Sequence, residues 1–588
     1  MKHSDLPFER PASLSGRHFS TVIVGAGIDG VGVFRDLSLQ GVTCLIVDKG
    51  DFGAGASGAP SRMIHGGLRY LESGDLALVA ESTRERNLLL RNAPHLVQPL
   101  KTVVPLASRF GGLLSSALRF AGVKQAPRTR GLFAVAFSLR LYDLLGRRQR
   151  VMPGHRIDHV QPQDRTLFRS TVRWLATYFD AWIRHPEWLI LELIADSHRD
   201  QPQSRATNYC RLVGCEGKSL TLCDELTGER VRVSADTVVN AAGAWHDHSA
   251  AALGGAGSRV MGTKGSHLVL KHPALRDALD GRMAYLEAAD GRVCIVYPFL
   301  DRVLVGSIDI PVDDPDQVVT EPDIDYLLGV LRERFPRLSF DHDDVVYTFV
   351  GVRPLARSGA DKPGQISREH SVLVDPSSAT RAIPMVRLVG GKWTTFRSLA
   401  QEATDELLRL LGRPRIGSTE ELPIGGGAEW PTDPLQADRF VEWTMAVSGV
   451  SRRRASELTT RYGSKALVLA ERFAANGDLP LRHAPHYSAS EIRYLCLETG
   501  VVHLSDLVIR RTLLAIRGEV TDGMLAEIAD LAAQALDWDA IRRNEELRTC
   551  GTTLRDRHGV RLAAEHSPSR IDGRSTLDPR TSIRRNLP

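Results

Sequence analysis

The run Thr21 to Gly32, TVIVGAGIDGVG, leaves this chain the least freedom in how it folds. Thr21 to Val24 is short, apolar and β-branched and ends on glycine, which predicts a parallel strand covered on both faces. Gly25, Gly27 and Gly30 follow in the order G-x-G-x-x-G. That order permits a sharp turn, a close backbone approach to a pyrophosphate, and tight packing of helix on strand. The helix expected from about Ile28 to Leu39 points its amides and positive end at the pyrophosphate, with Gly41 as its stop. Asp48 closes the next apolar strand, near the spacing of roughly 20 residues at which a carboxylate meets ribose hydroxyls. A dinucleotide is therefore expected against Gly25, Ala26, Gly27, Ile28, Gly30 and Asp48.

With 588 residues the chain exceeds what a single core organises, so several domains are expected. The net charge of +5 and pI near 8.8 are mild, and what matters is where the basic residues lie. Cysteines 44, 210, 215, 223, 294, 496 and 550 form no C-x-x-C and no pairing with histidine at metal-ligand spacing. Reduced thiols and no metal centre follow. The first residues lack the apolar core of a signal peptide, and no run of about 18 apolar residues predicts a membrane span. Residues 1–17 read as a disordered leader.

Beyond Asp48, a loop rich in glycine and hydroxyl residues carries Arg62, His65, Arg69 and Tyr70 among apolar neighbours. The run Ser61 to Leu71, SRMIHGGLRYL, resembles a signature of the FAD-dependent glycerol-3-phosphate dehydrogenases. Four more matches follow in that family's order: Asn240 to Trp245 (NAAGAW), Lys264 to His267 (KGSH), Gly351 to Leu355 (GVRPL) and Gly390 to Arg397 (GGKWTTFR). The resemblance extends from about residue 18 to 545. Asp29, Arg62, Phe396 and Gln40 depart from the family's usual Asn, Lys, Tyr and Arg.

What the resemblance implies can be set out by residue. The fold expected is α/β (α+β overall). A Rossmann-like FAD-binding domain interleaves with an antiparallel β-sheet substrate domain over 18–425, followed by a C-terminal α-helical domain over 426–545; beyond the resemblance, many charges and turn formers without an apolar period read as a disordered basic tail over 546–588. FAD is the expected cofactor, lined by Ser57, Ser61, Arg62 and Met63, by Gly243 and Gly391, and by Lys392, Thr394 and Thr395. A second helix N-terminus after Gly390-Gly391 suits FAD on physical grounds, because it stabilises negative charge on a reduced flavin. The expected substrate is sn-glycerol 3-phosphate, whose phosphate calls for a cradle of Arg69, Tyr70, Arg353 and Lys392. The proton of its C2 hydroxyl needs an acceptor near neutrality. His267 is the first candidate and His65 its rival, with Arg69 and Arg353 beside the reacting carbon.

From Arg109 to Arg150, nine basic side chains face a single acid, Asp143, between apolar segments. Such an element suits a membrane interface, where each cation near anionic lipid adds on the order of 1 kcal/mol. The aromatics are not interleaved as nucleic-acid stacking would require, so no nucleic acid is expected. A peripheral protein on the cytoplasmic face of a membrane, passing electrons to quinone, is the resulting reading, and a homodimer is compatible with it. The alternatives are an oxidase that returns electrons to O2, and a catalytically silent flavoprotein that binds membrane or nucleic acid. Short strands are expected over 151–236 and helices at 435–448, 451–462, 488–498, 505–515 and 522–535.

Overall fold

The computed structural model describes residues 6–73, 75–110, 131–147, 151–255, 260–357, 369–431 and 433–562. In it the chain weaves twice between two sheets. Strand β1 (His18–Val24), buried from Phe19 onward, passes through helix α1 (Ile28–Leu39) to parallel β2 (Cys44–Val47). The chain then leaves through α2 (Leu76–Asn92), β3 (Val97–Leu106), α3 (Leu132–Leu145) and β4 (Trp174–Ile183), where β3 and β4 pair antiparallel along their length. Helix α4 (Pro186–Asp200) brings it back to β5 (Arg205–Thr207), the hairpin β6 (Cys210–Glu216) and β7 (Ser219–Asp224), and β8 (Arg230–Asn240), parallel to β1.

A second excursion supplies β9 (Val260–Leu270), β10 (Met283–Glu287), β11 (Val293–Phe299), β12 (Arg302–Gly306), α5 (Glu321–Arg334) and β13 (Val345–Ala356). The return adds β14 (His370–Asp375), β15 (Met385–Gly390) and α6 (Phe396–Leu411). The first sheet runs β14-β15-β8-β1-β2-β5, parallel from β15 to β5. The second contains β9-β12-β11-β10-β3-β4, antiparallel except where β10 meets β3, with β13 also on β9. Because β1, β8 and β15 all end at one edge, the turns at Gly25, Ala241 and Gly390 converge there. In open α/β sheets that carboxyl edge is where ligands bind.

Among the described residues six α-helices follow: α7 (Pro434–Ser448), α8 (Arg452–Tyr462), α9 (Ala466–Ala475), α10 (Ala489–Glu498), α11 (Asp522–Leu536) and α12 (Ala540–His558). Their starts are set by side chains. Asp433, Ser451, Ser488, Thr521 and Asp539 each accept a first-turn backbone N–H. This cap is clasped to the first sheet by Asp51, whose carboxylate accepts from Arg511 at 2.6 and 2.9 Å and from Arg510 at 2.5 Å.

Four expectations need correction. Residues 6–17 are docked: Ala206 donates to Pro7 O at 2.9 Å, and Leu14 is fully buried. The free edge of β5 needs a partner, and an apolar residue near a chain end supplies the anchor. Within 151–236, α4 is a helix buried nearly all round, and its acids Glu187, Glu192 and Asp196 are buried with its apolar residues, so no solvent-facing stripe marks it. Only Asp506–Arg511 of the expected helix over 505–515 forms, as a wide turn, while α9 was not foreseen. The tail reading fails between 546 and 558, where α12 continues to His558 and buries Cys550 and Leu554.

Candidate active site

A cleft of about 1850 Å³ opens where the first sheet's carboxyl edge faces the second sheet. One end is built by the glycine turn. Gly25 adopts φ +106°, and a Cβ there would stand 2.5 Å from Ala241 O, so only glycine lets β1 and β8 meet at this turn. The backbone N–H groups of Ala26 and Gly50 donate to Asp48 at 2.7 and 2.9 Å. Burial nonetheless pushes its carboxyl up to about 6. Ser57 Oγ accepts the Ile28 N–H at 2.9 Å, and Trp393 Nε1 donates to Ser57 O at 3.1 Å, tying the turn before α6 to the loop before Ser61.

Gly25, Gly27, Ile28, Asp48, Ser57, Ser61, Met63, Gly243, Gly391, Lys392 and Thr394 all line the cleft. Ala26, Gly30 and Thr395 lie buried beside it; a Cβ on Gly30 would strike Gly25 O, so that glycine serves helix-on-strand packing. Arg62 is turned away. Its φ of +54° aims the buried guanidinium at Arg184 O (2.7 Å) and Glu187 (3.2 Å). Two helix N-termini, a glycine-rich backbone cradle and a carboxylate at the tip of β2 fit a flavin dinucleotide: amides for its pyrophosphate, Asp48 for its ribose, and the turn before α6 for the ring's polar edge.

Arg353, Lys392, Tyr70 and His65 line the same cleft. Arg353 donates to Ser307 Oγ at 3.0 Å and Asp309 at 3.3 Å, which holds its fork against the floor formed by Gly265. Lys392 Nζ donates to Ser82 Oγ at 3.0 Å and sits 3.8 Å above the Tyr70 ring. The His65 backbone N–H donates to Thr394 Oγ1 at 3.2 Å. The Gly66 N–H next to it donates to Tyr142 Oη and Asp180, which Arg86 also holds. The Arg69 side chain lies outside the described residues. Sequence reasoning missed Asp180, although an acid inside the apolar strand β4 was a readable signal.

His267 does not stand over the cleft. It is buried behind Ser61, with Nε2 2.8 Å from Ser61 Oγ and its ring stacked 4.6 Å from Phe349. Gly306 makes room for the ring, since a Cβ there would overlap it. Burial and then the charge of Arg353 push its pKa down to about 3, so it is neutral near pH 7. Two other residues of the motifs are structural. Lys264 pairs with Asp323 at 2.6 Å, which also accepts from Ser266, and Arg397 forks onto Glu85 at 2.7 and 2.8 Å.

Residues 20–377 match the FAD dependent oxidoreductase family, and 417–543 match the C-terminal domain of alpha-glycerophosphate oxidase. A glycerol-3-phosphate dehydrogenase of Synechocystis sp. is 31% identical over 84% of this chain and 89% of its own. The aerobic glycerol-3-phosphate dehydrogenase of Escherichia coli is 27% identical over 84% and 93%. The structure of the glycerol-3-phosphate dehydrogenase from Bacillus halodurans complexed with FAD shares the fold, with a TM-score of 0.70 over 93% of this chain and 96% of that one at 19% identity. The glycine-turn cleft and the five ordered motifs thus agree with sequence likeness along most of the chain: it belongs to the FAD-dependent glycerol-3-phosphate dehydrogenases.

Proposed function

We propose that this protein oxidises sn-glycerol 3-phosphate at C2 to dihydroxyacetone phosphate and passes the electrons to a membrane quinone. The observation that carries the reading is that Arg353, Lys392, Tyr70 and His65 line the same cleft as the glycine turns, with Lys392 over the Tyr70 ring and the His65 ring 6.5 Å from it. FAD, when bound, supplies the hydride acceptor. Arg353 and Lys392 hold the phosphate dianion, and Tyr70 adds a hydroxyl donor. Each charge-assisted bond of this kind contributes about 1.5–3 kcal/mol. His65, which lines the cleft, takes the C2 hydroxyl proton. The Ser61–His267 pair fixes the neighbouring wall, since a histidine neutral down to about pH 3 is a weak direct base.

Helix α3 supports the membrane half of the reading. Phe133, Phe137 and Leu144 project outward at 48%, 62% and 62% exposure, while Val135, Leu139 and Tyr142 face the protein. Exposed apolar residues on one helix face, beside basic residues, suit a lipid interface. Residues 111–130 and 148–150 of the basic stretch lie outside the described residues. Among the described residues no helix is long and apolar enough to cross a membrane. The match of residues 417–543 to an oxidase domain favours O2 as a second acceptor.

Anaerobic mixing of holoenzyme with glycerol 3-phosphate tests the reaction: the flavin absorbance should bleach in a single turnover. His65→Asn should slow that bleaching by about 100-fold or more, in line with loss of a general base. A His65→Asn protein that bleaches at the wild-type rate removes His65 from the role. Quinone reduction measured against peroxide yield, with lipid vesicles present, decides between the acceptors.

A further inference from the structure

Asp29 stands in the wall of the cleft, in the first turn of α1, yet it caps nothing: no side-chain bond closes that helix end. Its Oδ1 is sealed from solvent and has no hydrogen-bond partner among the described residues. Its Oδ2 faces the other turn of the cradle, 4.0 Å from where a Cβ on Gly391 would stand. The carboxyl is therefore wedged between the two turns that hold the cofactor. An ionised carboxylate with an unmet buried oxygen is unfavourable, whereas a neutral acid needs no donor at that oxygen.

The surrounding charges do little to relieve it. His370 on β14 is the neighbour that draws the group down, and Glu402 of α6 at 3.1 Å and Glu81 of α2 at 3.9 Å already engage it. Lys392 is held by Ser82, and Arg397 of α6 by Glu85. From α4, Glu187 and Glu192 are paired with Arg62 and His95. Asp48 on β2 is a further acid in the same wall. Burial already lifts the Asp29 carboxyl to about 7 against the pull of His370.

We propose that Asp29 is protonated whenever FAD is bound, and that FAD uptake draws this proton from solution. The cofactor brings a pyrophosphate dianion and closes the cleft over the residue, and both changes disfavour a second anion there. The linkage has a definite sign. Affinity falls as pH rises above Asp29's value in the open cleft, by up to about tenfold in Kd per pH unit. Asp48 works in the opposite direction, because its carboxylate form is the one that accepts hydrogen bonds from backbone and ribose.

Holoenzyme diluted to equilibrium, with released FAD read by its fluorescence, gives Kd at each pH. Between about pH 7.5 and about pH 9 the wild-type Kd should rise at least about fivefold, while Asp29→Asn stays within about twofold. At the alkaline end Asp29→Asn should bind FAD more tightly than wild type. Calorimetric titration of FAD into the full-length apoprotein, in two buffers of unlike ionisation enthalpy, reads the proton on the unaltered chain. Substantial uptake, approaching one proton per FAD near pH 8, is expected. A wild-type Kd that stays flat with no proton taken up overturns the proposal, as does an Asp29→Asn profile that tracks the wild type.

Discussion

Arg353 is held by Ser307 and Asp309 before any substrate arrives, so its fork is preorganised rather than recruited. Replacing it with methionine removes the charge but keeps much of the volume. The expected loss is about 1.5–3 kcal/mol of substrate binding, roughly tenfold to a hundredfold in kcat/KM with glycerol 3-phosphate. Arg353→Lys should recover only part of it, because a point charge cannot reproduce the fork. An unchanged kcat/KM would put Arg353 outside the cradle. Arg353, Lys392, Tyr70 and His65 were legible because each sits in a short motif. Their supports were not: Ser82 holds Lys392 across 310 residues of sequence, and no local pattern announces such a pair. Arg62 was misplaced for a related reason. Residue type announces a cation, but only the left-handed backbone at 62 shows that it turns toward Glu187.

Among the elements, α12 shows how a polar composition conceals a docked helix. It buries Glu546, Cys550 and Leu554, and Glu546 accepts from His503 and the Leu504 N–H. A chain ended after residue 545 should therefore lose the packing of α12 and melt well below the full-length protein. His558 anchors the far end of α12, with Nδ1 2.9 Å from Thr348 O and its ring stacked on Tyr347. Burial pushes this histidine down to about 4, below the value near 6.5 of a free ring. The undocked ring thus binds a proton before the docked one does, and docking weakens as pH falls from about 6.5 toward 4. Amide exchange in α12, corrected for its intrinsic pH dependence, should be several-fold faster near pH 5 than near pH 7, and His558→Phe should flatten that response. Helices α7, α8, α10 and α11, whose starts carry Asp, Ser or Thr ahead of an apolar period, were readable. Helix α4 was not, because burial on all sides erases the contrast on which periodicity depends.

At the scale of the molecule, the cofactor loop and the helical cap meet at one buried charge. Asp51 lies three residues beyond Asp48 on the loop that lines the cleft, and it faces Arg511, which has no exposed side-chain surface. Burial alone would raise its carboxyl, but the guanidiniums of Arg511 and Arg510 outweigh it and hold the group well below the usual range. A depressed carboxylate contributes its stability above the unfolded value of about 3.9 and loses it as pH falls further. The clasp therefore stays closed throughout the neutral range. Asp51→Asn keeps the shape and removes the charge, leaving Arg511 buried without its anion. Breaking a buried pair from one side costs about 3–5 kcal/mol, so the urea midpoint should fall sharply. Because the same loop carries Ser57 toward the cleft, flavin content, read as the ratio of flavin to protein absorbance, should fall with it. Arg510→Gln should cost less, since Arg510 is partly exposed and Arg511 still holds Asp51. If Asp51→Asn unfolds at the wild-type midpoint with full flavin, the cap is secured by its apolar contacts alone and the charge at this junction is dispensable.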